Sequence, residues 1–158
     1  MSLDACVRCR CIQDGLAKAH PLPERLILND AAEPELSGDP SEEEWLVHDR
    51  WFADSCEHGG YLLSEPLGNI SLVARIREFV RHLQGRPGPR FPILLEHVIY
   101  NGTHTGDSLA AAQVELLLKE VDMILHSADI LSDTEKTFFE TLRRLCEASM
   151  KTGNPILF

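Results

Sequence analysis

The stretch "SLDACVRCRC", Ser2 to Cys11, holds three of the chain's five cysteines within six positions. Taken with its neighbours on both sides it reads as an irregular, cysteine-bearing segment spanning residues 1–23, closed by the turn-forming "HPLP". Regular structure then has to come from the rest of the chain, and the cysteines need another purpose.

Cys6 and Cys9 stand in C-x-x-C spacing, which lets two thiolates reach one tetrahedral metal at about 2.3 Å without strain. Cys11 adds the tighter C-x-C. This is half of a zinc site, and "DSCEHGG" (residues 54–60) offers the other half, with Cys56 and His58 beside two glycines that let the backbone bend round an ion. The expected ligands are Cys6, Cys9, Cys11 and Cys56, with His58 as substitute if one cysteine drops out. The interval between Cys11 and Cys56 fits no standard finger spacing, so two alternatives stay open. One is partly buried free thiols. The other is a redox or nucleophilic role in which Arg8 and Arg10 lower a neighbouring thiol's pKa.

With 158 residues and 44% hydrophobic content, the chain can bury a core without help from cysteines, and it reads as one globular domain over 1–158. It shows neither a secretion signal nor an apolar run of about 20 residues, so a cytoplasmic protein without a membrane segment is expected. The net charge of −10 is uneven: residues 31–66 carry ten acids against one base, whereas residues 67–105 carry five arginines against two acids. Such an acidic surface disfavours nucleic acid as a partner.

A mainly α fold is expected, a bundle of about four helices with a few short strands. "RLILN" reads as a short strand, and residues 30–40 as an acidic surface loop. Ser41 with Glu44 forms a capping box opening a helix that runs to about Cys56, with Glu42, Glu43 and Glu44 in its first turn. Asn69 caps a second helix ending at Gly85, with Val73, Ile76, Val80 and Leu83 on its buried stripe. "ILLEHVIY" reads as a buried strand, although its length also allows a helical turn or two. A third helix is expected from about Asp107 or Ser108 to Ser127. A fourth, capped by Ser132 with Glu135, stops at Gly153, and "PILF" closes the chain as a terminal strand or plug.

"HVIYNGTHTGDS", residues 97–108, is a second polar constellation. His104 and Asp107, with His97 approaching from the preceding element, can form a binding or catalytic group at a helix start. The plainer reading is a tight turn at Asn101-Gly102 and a cap at Asp107 or Ser108. His48 reads as a hydrogen-bonded, half-buried residue, and His20, His82 and His126 as solvent-facing.

No H-E-x-x-H, phosphate loop, G-x-S-x-G or dinucleotide fingerprint is present. The function expected is therefore a non-enzymatic interaction module, of the inhibitor, immunity or antitoxin kind. It would be stabilised by zinc and would meet a basic protein partner through Glu42, Glu43 and Glu44. The alternative is a metal-assisted hydrolase or ligand-binding protein with its site at His104, Asp107 and His97.

Overall fold

The computed structural model describes residues 2–84, 90–101, 106–127 and 131–158. Its first element corrects the mainly α expectation. Ser2–Arg8 is a strand, β1, and it lies inside a four-stranded antiparallel sheet whose order is Tyr61–Asn69, β1, Ile156–Leu157, Ser108–Leu109. The fold is α+β. Leu3, Ala5 and Val7 point into the core, at 3%, 2% and 0% exposure, while Asp4, Cys6 and Arg8 occupy the other face. The polar and sulfur-bearing residues that hide the strand in the sequence are thus its alternate positions.

The partners of β1 come from far along the chain. Tyr61–Asn69 forms β4, pairing with β1 along its whole length. Pro66 is accommodated because β4 is an edge strand, and the register slips where Leu3 and Asp4 face Gly68 and Pro66, leaving Leu67 turned into the core. Ile156–Leu157 is β6, which pairs Val7 with Ile156 on one side and Leu109 with Ile156 on the other. Ser108–Leu109 is β5. The expected helix start at Asp107 or Ser108 is therefore wrong: these residues are drawn into the sheet by the tail. The Asp107 carbonyl accepts from the Phe158 amide at 2.9 Å, and the third helix begins only at Ala111.

Four α-helices accompany the sheet among the described residues. Glu42–Asp54 is α1, with the Ser41 and Glu44 capping box formed in both directions. Ile70–Gln84 is α2, opened by the Asn69 side chain accepting from the Leu72 amide. Ala111–Leu125 is α3, and Asp133–Thr152 is α4, which has its own capping box and ends at Gly153 in the left-handed conformation. The long helix α4 packs on β1, β4 and α3, burying Phe138, Phe139, Leu142, Leu145 and Cys146. The acidic segment 30–40 is not wholly loop. Pro34–Leu36 is β3, paired with β2 (Leu26–Leu28), and Leu36 is buried.

The strand expected in "ILLEHVIY" is instead a π-helical turn, Leu94–Val98. One buried carboxylate explains it: Glu120 on α3 accepts from the amides of Ile93 at 3.0 Å and Leu94 at 2.8 Å, satisfying two donors at the start of the turn. Burial pushes the Glu120 carboxyl above its ordinary range, against the two amides that favour its charge. Glu120→Ala strands both amides inside the protein and is expected to cost about 2–4 kcal/mol. Urea denaturation checks this; a loss below about 1 kcal/mol would show that the carboxylate does not hold the turn.

Candidate metal centre

Where β1 ends, its chain leaves the sheet beneath the last turn of α1. Cys9 donates its amide to the Gly60 carbonyl at 3.2 Å, while the Asn154 side chain, just past α4, donates to the carbonyls of Arg8 at 3.0 Å and Cys9 at 3.3 Å. Arg10 donates to the Thr152 carbonyl at 2.9 Å and pairs with Asp14. Residues 9–11 are thereby fixed from two sides. Cys11 is held further by its own carbonyl, which accepts from Leu16 and Ala17.

Four side chains meet there. Cys9, Cys11, Cys56 and His58 bring their ligand atoms within 4.8 Å of one another, an arrangement that could hold a metal ion. The Cys9 and Cys56 sulfurs are 3.7 Å apart, and Cys11 Sγ lies 3.2 Å from His58 Nδ1. A tetrahedral ion with sulfur at about 2.3 Å and nitrogen at about 2.0 Å spaces two sulfurs by roughly 3.8 Å and sulfur from nitrogen by roughly 3.5 Å. The cluster is close to that geometry. Both arms share one spacing, Cys-x-Cys after β1 and Cys-x-His after α1. Outside the cluster, His58 Nε2 faces the Glu57 carboxylate at 3.9 Å, the side on which a ligating imidazole is usually oriented.

The backbone favours thiolates. The Cys11 amide is directed at the Cys9 sulfur, and the His58 and Gly60 amides at the Cys56 sulfur. Burial raises the Cys9 and Cys11 thiols, the latter to about 12 with the neighbouring sulfurs of Cys9 and Cys56 adding to the effect. At Cys56 burial also pulls upward, but the amides of Gly60 and His58, helped by the thiols of Cys9 and Cys11, outweigh it and bring the group down to about 7. A cation in the centre would displace the remaining protons, so its affinity must fall as pH falls.

Cys6 stands apart from this cluster. Three residues of extended chain carry the backbone about 10 Å, so the C-x-x-C spacing does not close when residues 6–8 are strand. Cys6 instead faces a cavity of about 380 Å³ lined by Asp4, Arg8, Tyr61 and Asp107 among others. Its thiol is raised by burial, which the Arg8 charge opposes without reversing. Arg8 is committed elsewhere: it donates to Glu33 at 2.5 Å, and its guanidinium lies 4.3 Å from the Tyr61 ring centre and 4.9 Å from that of Phe52. Neither Arg8 nor Arg10 makes a contact that would activate a cysteine of the cluster.

In the second constellation, His104 lies outside the described residues. His97 is exposed on the π turn and is not among the residues lining the cavity. Asp107 lines that cavity and accepts from the Tyr100 hydroxyl, which raises the Tyr100 pKa; it caps no helix, since α3 has Ala110 at its cap. Of the acidic first turn, Glu42 and Glu43 are exposed, whereas Glu44 serves the capping box and pairs with Arg25.

His20, expected at the surface, is 5% exposed, as is His48, and their rings are linked His20 Nε2 to His48 Nδ1 at 3.2 Å. Because the Leu22 amide donates to His20 Nδ1, His20 must donate through Nε2, and the other His48 nitrogen serves the Pro34 carbonyl. In this chain of bonds the His48 ring is neutral. Burial, and then the nearby His20, hold the His48 pKa below its ordinary 6.5, with Asp49 opposing.

Of two further residues essential to this geometry, one is cryptic in the sequence and the other is one of the two glycines expected to let the backbone bend. Asn154 has no motif around it. Gly60 carries φ +85°, and a Cβ there would lie 2.1 Å from the Phe52 ring. Gly60→Ala is expected to cost about 2 kcal/mol or more and to weaken metal uptake, read by urea denaturation and titration with zinc. Acid should also act through the histidines. The unfolded chain protonates His48 first, so the neutral His48 ring contributes its full stability above pH 6.5 and loses it as pH falls below that value. With a chelator present, urea midpoints should drop between about pH 7 and 5.5 less steeply in His48→Gln than in the parent; equal slopes would remove the histidine pair as the cause.

Comparison of the chain with protein-family models, with curated proteins and with solved structures returned no match.

Proposed function

We propose that this chain is a non-enzymatic protein-interaction module of the cytoplasm, stabilised by one structural zinc ion held by Cys9, Cys11, Cys56 and His58. The observation that carries the reading is the clustering of these four ligand atoms within 4.8 Å. Three thiolates and one imidazole are a donor set suited to zinc. Four protein ligands complete a tetrahedron and leave no open position for a reacting water. The site joins the end of β1 to the end of α1, which is the work of a structural ion. Free thiols serving as ligands also suit a reducing compartment.

Support for an interaction role comes from α1. Glu42 and Glu43 project beside Trp45 and Leu46, which are 40% and 52% exposed. Acids flanking an exposed tryptophan and leucine offer a basic partner both long-range attraction and an apolar contact. No helix among the described residues is long and apolar enough to cross a membrane. A second reading, a ligand-binding site around Asp107, is supported by the cavity of about 380 Å³ that this residue shares with Cys6 and Arg8.

Elemental analysis should find one zinc per chain in the purified protein and in Cys6→Ser, and none in Cys11→Ser or Cys56→Ser. Chelation should lower stability by about 4 kcal/mol relative to protein with free zinc a thousandfold above its Kd. Absence of zinc, or equal stability with and without chelator, rejects the structural ion. For the acidic face, the double variant Glu42→Lys, Glu43→Lys should lose partners that co-purify with the parent at low salt. Retention of every partner by that variant rejects the role of these residues.

A further inference from the structure

Resting on the zinc reading, we propose that the cluster is also a redox-released site, in which a peroxide joins Cys9 and Cys56 in a disulfide and the metal leaves. The two sulfurs are 3.7 Å apart, too far for a bond and suitably spaced for two ligands of one ion. Forming a bond of about 2.05 Å requires an approach of roughly 1.7 Å, and Cys56 sits on the turn that runs through Gly59 and Gly60. Cys11 also neighbours both of these sulfurs, and it differs from them in having His58 Nδ1 3.2 Å from its own. Access is one-sided. Cys9 and Cys11 are buried, whereas Cys56 is half-buried and His58 exposed, so an oxidant arriving from solvent meets Cys56 first.

The step balances with a peroxide as the only oxidant. The Cys56 thiolate attacks one peroxide oxygen, the O–O bond breaks, and the departing oxygen takes a proton from solvent to leave as water or an alcohol. Cys56 is then a sulfenic acid. The Cys9 thiolate attacks that sulfur, the S–O bond breaks, and hydroxide leaves to be protonated to water. Two thiolates have lost two electrons, the peroxide has gained them, and two protons have been consumed. Only Cys11 and His58 remain as ligands, too few to retain the ion. The end of β1 stays tied to the end of α1, now through a covalent bond across 47 positions of sequence. Oxidation therefore exchanges one tether for another and discharges the metal.

The test uses the full chain loaded with zinc and treated with one to two equivalents of hydrogen peroxide. A chromophoric indicator follows zinc, and peptide mass mapping locates the cross-link. Expected are release of one zinc per chain, a Cys9–Cys56 linked peptide, reversal by a dithiol with zinc taken up again, and the same outcome in Cys6→Ser and Cys146→Ser. Zinc that stays bound, zinc lost while Cys9 and Cys56 remain unlinked, or a cross-link to another cysteine would each overturn the proposal while leaving the zinc reading intact. A chain that takes up no zinc at all overturns both.

Discussion

A strand at the middle of a sheet has two edges of amide and carbonyl groups, and β1 must have both covered before its buried residues can stay dry. Everything else in the domain is arranged around that requirement. One edge is covered by β4, more than fifty residues downstream, and the other, at Cys6 and Val7, by β6, about 150 residues downstream. The helices fill the interval, and α4 lies across β1 and β4 because Leu3, Ala5 and Val7 present an apolar row that needs a cover.

The position of the cysteine cluster arises from the same constraint. With Arg8 as the last residue of β1, Cys9 and Cys11 fall where the chain turns away from the sheet, and β4 begins at Tyr61, so Cys56 and His58 fall in the turn that feeds it. The antiparallel pairing of β1 with β4 brings those two turns to one end of the sheet, with Arg8 opposite Tyr61 in the final register position. The ligands need not seek one another. Strand pairing delivers them, and Asn154 locks the first pair in place from beneath.

Elements that depend on near neighbours are legible in the residues alone. The capping boxes at Ser41 and Ser132, the cap at Asn69 and the stop at Gly153 all rest on partners three or four residues away. Cys9, Cys11, Cys56 and His58 all stand among the expected ligands because their types and short spacings are visible. Expectation and structure part where a distant partner decides. The alternation in β1 is masked by cysteine and arginine on its outer face, so Cys6 has the look of a ligand when it is a strand residue. "ILLEHVIY" has the composition of a strand and becomes a π turn because Glu120, on another helix, takes its first amides. Ser108 has the chemistry of a helix cap, yet pairing with Leu157 claims it first.

The edge of β1 that meets β6 has a consequence for biosynthesis. A ribosome must add about 150 residues between making Cys6 and making its partner Leu157. Until then the nascent chain can assemble β1 with β4 but leaves one side of that pair open, an exposed template for joining another chain. Closure of the sheet therefore waits until Ile156 and Leu157 have been made. Until then the nascent chain depends on its crowded surroundings, and on any chaperone met there, for longer than one whose sheet pairs only neighbouring strands.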